Sequence, residues 1–144
     1  MKNDYYLYII YTNNNLYKLM VGIFMNIKEK FKTIRDNYII NQVENIVLPN
    51  FEYSNTIRKK LIFKGRVQKV GFRFEVSLLA NKLGLTGWVK NTPQGEVEVE
   101  IQGEEDKIDF LIQFMKSLKR IKIVQIREEI IEKVYTEEQF IIIR

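Results

Sequence analysis

Apolar residues follow two alternating rhythms along the second half of the chain. Around residues 60–64, Leu61 and Phe63 alternate with polar neighbours, the period of a half-buried strand. A loop bounded by Gly65 and Gly71 follows. Phe72, Val76, Leu79 and Leu83 then fall on one helical face, which Gly84 is expected to end. Residues 85–90 and 96–102 read as strands on either side of a turn at Thr92-Pro93-Gln94-Gly95. In the second of them Val97, Val99 and Ile101 point one way, and Glu96, Glu98 and Glu100 form a row expected to be exposed on the other. A second helix carries Ile108, Leu111, Ile112, Met115 and Leu118 on one stripe. Glu104, Glu105 and Asp106 stand at its start, where the helix dipole favours acid. Apolar runs at 121–131 and 140–143 supply closing strands. The order β-α-β-β-α-β is the split βαβ pattern, so the expected fold class is α+β: a ferredoxin-like sandwich with an antiparallel sheet.

The first part of the chain has a different texture. Residues 1–57 are rich in Asn, Tyr, Ile and Lys, and only one of the seven glycines lies before Gly65. Leu48-Pro49-Asn50 and then Ser54, Asn55 and Thr56 read as a connector, which places the boundary near residue 57: an N-terminal extension over 1–57 and a domain over 58–144. Within the extension, residues 5–11 read as a buried strand, and Asn13, Asn14 and Asn15 as a turn. Asn26 with Glu29 resembles a capping pair for an amphipathic helix, whose Ile27, Phe31, Ile34 and Tyr38 recur at helical spacing and are expected in a core. Fewer than about 60 residues without disulfides are marginal alone, so the extension is expected to pack on the rest of the chain or on a second copy.

Composition narrows the chemistry. The chain has no Cys and no His, so disulfides, thiolate nucleophiles, the commonest general base and the commonest metal ligand are all excluded. Its net charge of +5 suits an anionic partner. The run at 5–11 shows no small-residue cleavage site, and Lys18 interrupts the other apolar stretch, so a cytoplasmic protein with no membrane partner is expected.

The segment Gly65-Arg66-Val67-Gln68-Lys69-Val70-Gly71-Phe72-Arg73 runs from a strand into a helix. A helix start leaves main-chain N–H groups unpaired, and a glycine-bounded loop before it can turn such donors inward as an anion site. Arg73, in the first helical turn, is placed to grip two phosphate oxygens. The competing reading gives the glycines a turn only and leaves Arg66, Lys69 and Arg73 as solvated charges.

This segment closely resembles the signature loop of the acylphosphatase family. Gly87-Trp88-Val89-Lys90-Asn91-Thr92-Pro93 resembles the second signature of that family, at family-like spacing. The resemblance covers roughly the last 85 residues and says nothing of 1–57. It implies that Arg73 binds the substrate phosphate, that Asn91 orients the attacking water, and that Val67, Gln68, Lys69, Val70, Gly71 and Phe72 contribute loop amides. One position departs from the pattern: Lys69 stands where the family loop usually repeats glycine. A side chain at positive φ costs about 1–2 kcal/mol, while the added cation has the sign that favours phosphate.

The expected function is hydrolysis of acyl phosphates to carboxylate and inorganic phosphate by direct attack of water, with no cofactor and no metal. The leaving carboxylate has a pKa of about 4–5, so it departs without a general acid, and histidine is not missed. What remains is positioning of an in-line water and stabilisation of phosphoryl charge. The alternative is a phosphate-sensing or partner-binding regulatory domain. A nucleic-acid-binding module is disfavoured, because a carboxylate row on the sheet repels a phosphate backbone.

Overall fold

In the computed structural model the described residues are 2–144, with side chains described from residue 14 onward. The chain divides into two compact units, Met1–Asn37 and Tyr38–Arg144.

Helix α1 (Lys2–Glu44) occupies the place where a strand, a turn and a capped helix were expected. Strand and turn are both replaced by continuous helix. The reason is local: no Pro precedes Pro49, Gly22 is the lone glycine, and the three asparagines are weak helix formers but leave the backbone ladder intact. Asn26 and Glu29 lie in the interior of the helix and cap nothing. Ile27, Phe31, Ile34 and Tyr38, expected in a core, are exposed. Apolar residues between 16 and 27 surround the helix axis, so no single stripe directs this stretch into a core. No helix among the described residues is long and apolar enough to cross a membrane.

The unit from Tyr38 onward contains β1 (Thr56–Arg66), α2 (Phe72–Lys82), β2 (Thr86–Asn91), β3 (Val97–Glu104), α3 (Glu105–Ser117), β4 (Lys122–Ile130) and β5 (Phe140–Ile142). The five strands form one sheet in the order β4-β1-β3-β2-β5. Pairings β1–β3, β1–β4 and β2–β3 are antiparallel, and β5 joins β2 in parallel as the fifth member. This is the expected ferredoxin-like sandwich. Helices α2 and α3 supply Phe72, Val76, Leu79, Ile108, Leu111 and Met115 to a core shared with Leu61, Phe63, Val89, Val97, Val99 and Ile101. Each such residue, when fully buried, contributes about 1.5–3 kcal/mol.

The core reaches back beyond the matched strands and helices. Ile39 and Val43, in the last turns of α1, are fully or almost fully buried in it, and Ile46, Leu48 and Phe51 pack against it. Lys82 at the end of α2 donates from Nζ to the carbonyls of Val43 and Glu44 at 2.8 Å and of Ile46 at 3.1 Å. A cation thus meets the negative end of α1, which has no basic residue in its own last turn. The connector satisfies the start of α3, since Asn55 O accepts from Glu105 N and Ser54 Oγ accepts from Asp106 N.

On the other sheet face, the glutamate row expected to be exposed is half-buried and paired. Glu98 bridges Lys60 at 3.0 Å and Lys90 at 3.4 Å, and Glu96 meets Arg127 at 3.0 Å. Arg58, 2% exposed, forks between Glu100 at 2.9 Å and Glu137 at 2.6 Å. The segment before β5 lies over this face, since Gln102 exchanges two 2.8 Å hydrogen bonds with the main chain of Val134. Alternation alone indicates which way a side chain points, and the cations that cover it come from other strands.

Candidate active site

Strands β1 and β2 both run antiparallel to β3, so they share one direction and end at the same edge of the sheet. The register aligns Phe63 with Val97 and Val97 with Asn91 across three strands. The loop 67–71 leaves that edge from β1, and Asn91 is the last residue of β2. The loop that leads to Arg73 and the strand end that carries Asn91 therefore leave the same edge of the sheet.

The loop is built from three backbone features. Gly65, at φ 136°, lies where the β1–β4 register shifts, and a Cβ there would stand 2.0 Å from Lys122 O, so only glycine allows the bulge. Gly71 is the N-cap of α2 at φ 84°. Between them Lys69 takes φ 63°, the one non-glycine residue at positive φ among the described residues. Lys69 thus adopts the left-handed conformation that favours glycine, with its side chain exposed.

Val67 and Phe72 anchor the loop's two ends in the core, at 1% exposure each, while the residues between them reach the surface. The first helical bond of α2 runs from Glu75 N to Gly71 O at 3.0 Å. Main-chain N–H groups from Val67 to Gly71 have no hydrogen-bond partner among the described residues, which leaves a run of donors at a helix N-terminus. Arg73 is the second residue of α2 and is half-buried at that same terminus.

Gln68 ties the loop to the hairpin that carries Asn91. Its Nε2 donates to Thr92 O at 3.0 Å and to Glu96 O at 2.9 Å. The hairpin is itself closed by Thr92 N to Glu96 O at 2.9 Å and Gly95 N to Thr92 O at 3.1 Å. Asn91 Oδ1 is buried and has no hydrogen-bond partner among the described residues.

Two residues near the loop carried no functional expectation. Glu75, fully buried, pairs with Arg120, whose Nε donates to Val70 O at 3.3 Å. A signal for Glu75 was present: it lies three residues after Phe72, on the stripe that Val76 and Leu79 share, and a carboxylate on a core stripe calls for a buried cation. Nothing local pointed to Arg120 as that cation.

A split βαβ sandwich with a donor-lined loop, an arginine at the helix start and an asparagine at the adjacent strand end is an α+β domain whose loop has the geometry of an anion cradle. The acylphosphatase family model matches residues 59–142, and the chain belongs to that family. An acylphosphatase from Clostridium beijerinckii is 47% identical over 64 residues, covering 44% of this chain and 68% of that protein. One from Bordetella parapertussis is 36% identical over 80 residues, covering 56% of this chain and 83% of that protein. The crystal structure of acylphosphatase from Bacillus subtilis superposes with a TM-score of 0.57 at 31% identity, spanning 61% of this chain and 99% of that one.

Proposed function

We propose that this protein hydrolyses acyl phosphates by direct attack of a water that Asn91 orients, with Arg73 and the amides of Val67, Gln68, Lys69, Val70, Gly71 and Phe72 holding the phosphoryl group, and with no metal taking part. The observation that carries this reading is the Gln68 tie. It docks the donor loop against the main chain beside Asn91, so a tetrahedral anion in the loop lies next to a buried carboxamide oxygen that has no partner among the described residues.

The steps balance with these groups alone. Water, donating one hydrogen bond to Asn91 Oδ1, attacks phosphorus in line with the carboxylate leaving group. The P–O bond to the acyl oxygen breaks and its electron pair leaves on the carboxylate, which is stable unprotonated at neutral pH. The proton of the attacking water passes to a phosphoryl oxygen, giving inorganic phosphate. Arg73 and the loop amides stabilise the negative charge on the equatorial oxygens, the main demand of phosphoryl transfer.

The test is hydrolysis of benzoyl phosphate by the purified chain with a chelator present. Arg73→Ala is expected to lower kcat/KM by about 1000-fold and to abolish phosphate inhibition. Asn91→Ala is expected to lower kcat by about 100-fold or more while phosphate still binds. The position of Lys69 in the cradle favours one second reading, a phosphate sensor with little turnover. Phosphate binding with no hydrolysis in the unmodified chain selects it.

A further inference from the structure

Arg120 lies in the turn between α3 and β4, and its guanidinium meets three elements at once. It forms the ion pair with Glu75, whose side chain is wholly buried on α2. Its Nε–H donates to Val70 O in the loop. The ring of Tyr38 lies 5.9 Å from it, within cation–π range.

The contact with Val70 has a consequence one bond away. Val70 C=O and Gly71 N–H belong to the same planar trans peptide and therefore point in opposite directions. Fixing the carbonyl toward Arg120 turns the Gly71 N–H away from Arg120. We propose that Arg120 is a positioning residue for the phosphate-binding loop: locked in place by Glu75 and covered by Tyr38, it holds the 70–71 peptide so that the Gly71 amide faces the anion. This rests on the reading of the loop as a phosphate site. It adds a brace outside both signatures, and Tyr38, which covers it, lies outside the family match at 59–142.

The experiment uses the full chain and two variants. Arg120→Lys keeps a cation for Glu75 but lacks the forked donor, and the double variant Arg120→Met with Glu75→Gln removes both charges, so that no buried ion is left alone. Three readouts are taken well below each variant's melting range: KM and kcat for benzoyl phosphate, the inhibition constant of inorganic phosphate, and the NMR order parameter of the Gly71 amide. The proposal expects KM and the phosphate inhibition constant to rise about tenfold with kcat within about threefold, and the Gly71 order parameter to drop from about 0.85 to below about 0.6. A lowered Tm with KM, inhibition constant and Gly71 order parameter all unchanged assigns Arg120 a purely structural role and overturns the proposal. Should the unmodified chain neither hydrolyse benzoyl phosphate nor bind phosphate, the functional reading fails by itself, and the Gly71 order parameter alone then decides for or against Arg120. Glu75→Gln, which keeps the volume and an acceptor for Arg120, carries the same readouts at reduced size if the other two variants do not fold.

Discussion

The carboxamide of Gln68 spans from the loop after β1 to the main-chain carbonyl of Thr92, 3.0 Å away and one residue beyond Asn91. Its second amide hydrogen goes to Glu96 O at 2.9 Å, so one side chain joins both arms of the β2–β3 hairpin to the loop. Gln68→Ala removes two hydrogen bonds of about 1 kcal/mol each and frees the loop to drift from Asn91. The expected result is a fall in kcat/KM of about tenfold or more. Gln68→Glu is expected to be worse, because a carboxylate would face two carbonyl oxygens. Steady-state kinetics on the two variants, with Tm measured alongside, check the order.

Lys69 makes a different prediction, in which activity carries more information than stability. A lysine at φ 63° carries a backbone cost of about 1–2 kcal/mol, and glycine there would relieve it. Glycine also enlarges the unfolded ensemble at a cost of about 0.4–1 kcal/mol, so Lys69→Gly is expected to stabilise by between about 0 and 1.6 kcal/mol. Turnover is expected to fall by up to about threefold as a cation near the phosphate is lost. A rise of tenfold or more in Lys69→Gly would mean that the side chain is a handicap to the loop.

How much of this was legible beforehand depended on the range of the interaction. Period-2 and period-3.6 patterns placed Val97, Val99 and Ile101, and Phe72, Val76 and Leu79, in the core, where the structure has them all. Loop and strand-end motifs brought Arg73 and Asn91 into consideration because each sits in a short stretch with its own local signature. What escaped were partnerships across the chain: Gln68 with Thr92, Glu75 with Arg120, Arg58 with Glu137. Side-chain pairs of that kind leave no periodic trace, since any of several glutamates or arginines satisfies the same composition. The extension was misread for a related reason. Its apolar and polar residues support strand and helix alike, and the absence of a breaker before Pro49 outweighed the short strand-like run.

Glu98 sets an acid-side prediction. Burial pushes its carboxyl up, but the hydrogen bond and charge of Lys60, joined by Lys90, more than offset this and hold it below the ordinary carboxylate value. A depressed folded value means that the stabilisation is complete above the unfolded value, near 4.5, and is lost as pH falls through the folded one. Glu98→Gln should therefore lower stability at neutral pH and flatten the loss of stability below about pH 4.5, where the unmodified chain is expected to weaken. Denaturant titrations at pH 3 to 7 compare the two slopes. A mutant curve parallel to the unmodified one through the acid range would show that the Lys60–Glu98–Lys90 bridge contributes nothing.

The last prediction concerns where the folded unit must begin. The family match starts at Lys59, yet Ile39 is fully buried, Val43 nearly so, and Lys82 closes the end of α1 with three carbonyl contacts. We infer that residues 38–57 belong to the domain physically although they lie outside the family pattern, whereas Met1–Asn37 forms a unit of its own. A chain beginning at Tyr38 is expected to melt within a few degrees of the full chain and to keep its activity. One beginning at Ile57 exposes the core surface that Ile39 and Val43 cover and leaves Lys82 without its partners. Removing one buried aliphatic side chain costs about 2–4 kcal/mol, and two are lost here together with a helix end. That is a large share of the about 5–15 kcal/mol that holds a domain of this size. The shorter chain is therefore expected to melt at least about 10 °C lower, and Ile39→Ala in the full chain to reproduce part of the loss. Equal melting temperatures for the chains starting at 38 and 57 would show that the sandwich closes without α1, and that Ile39 and Val43 cover a core already complete.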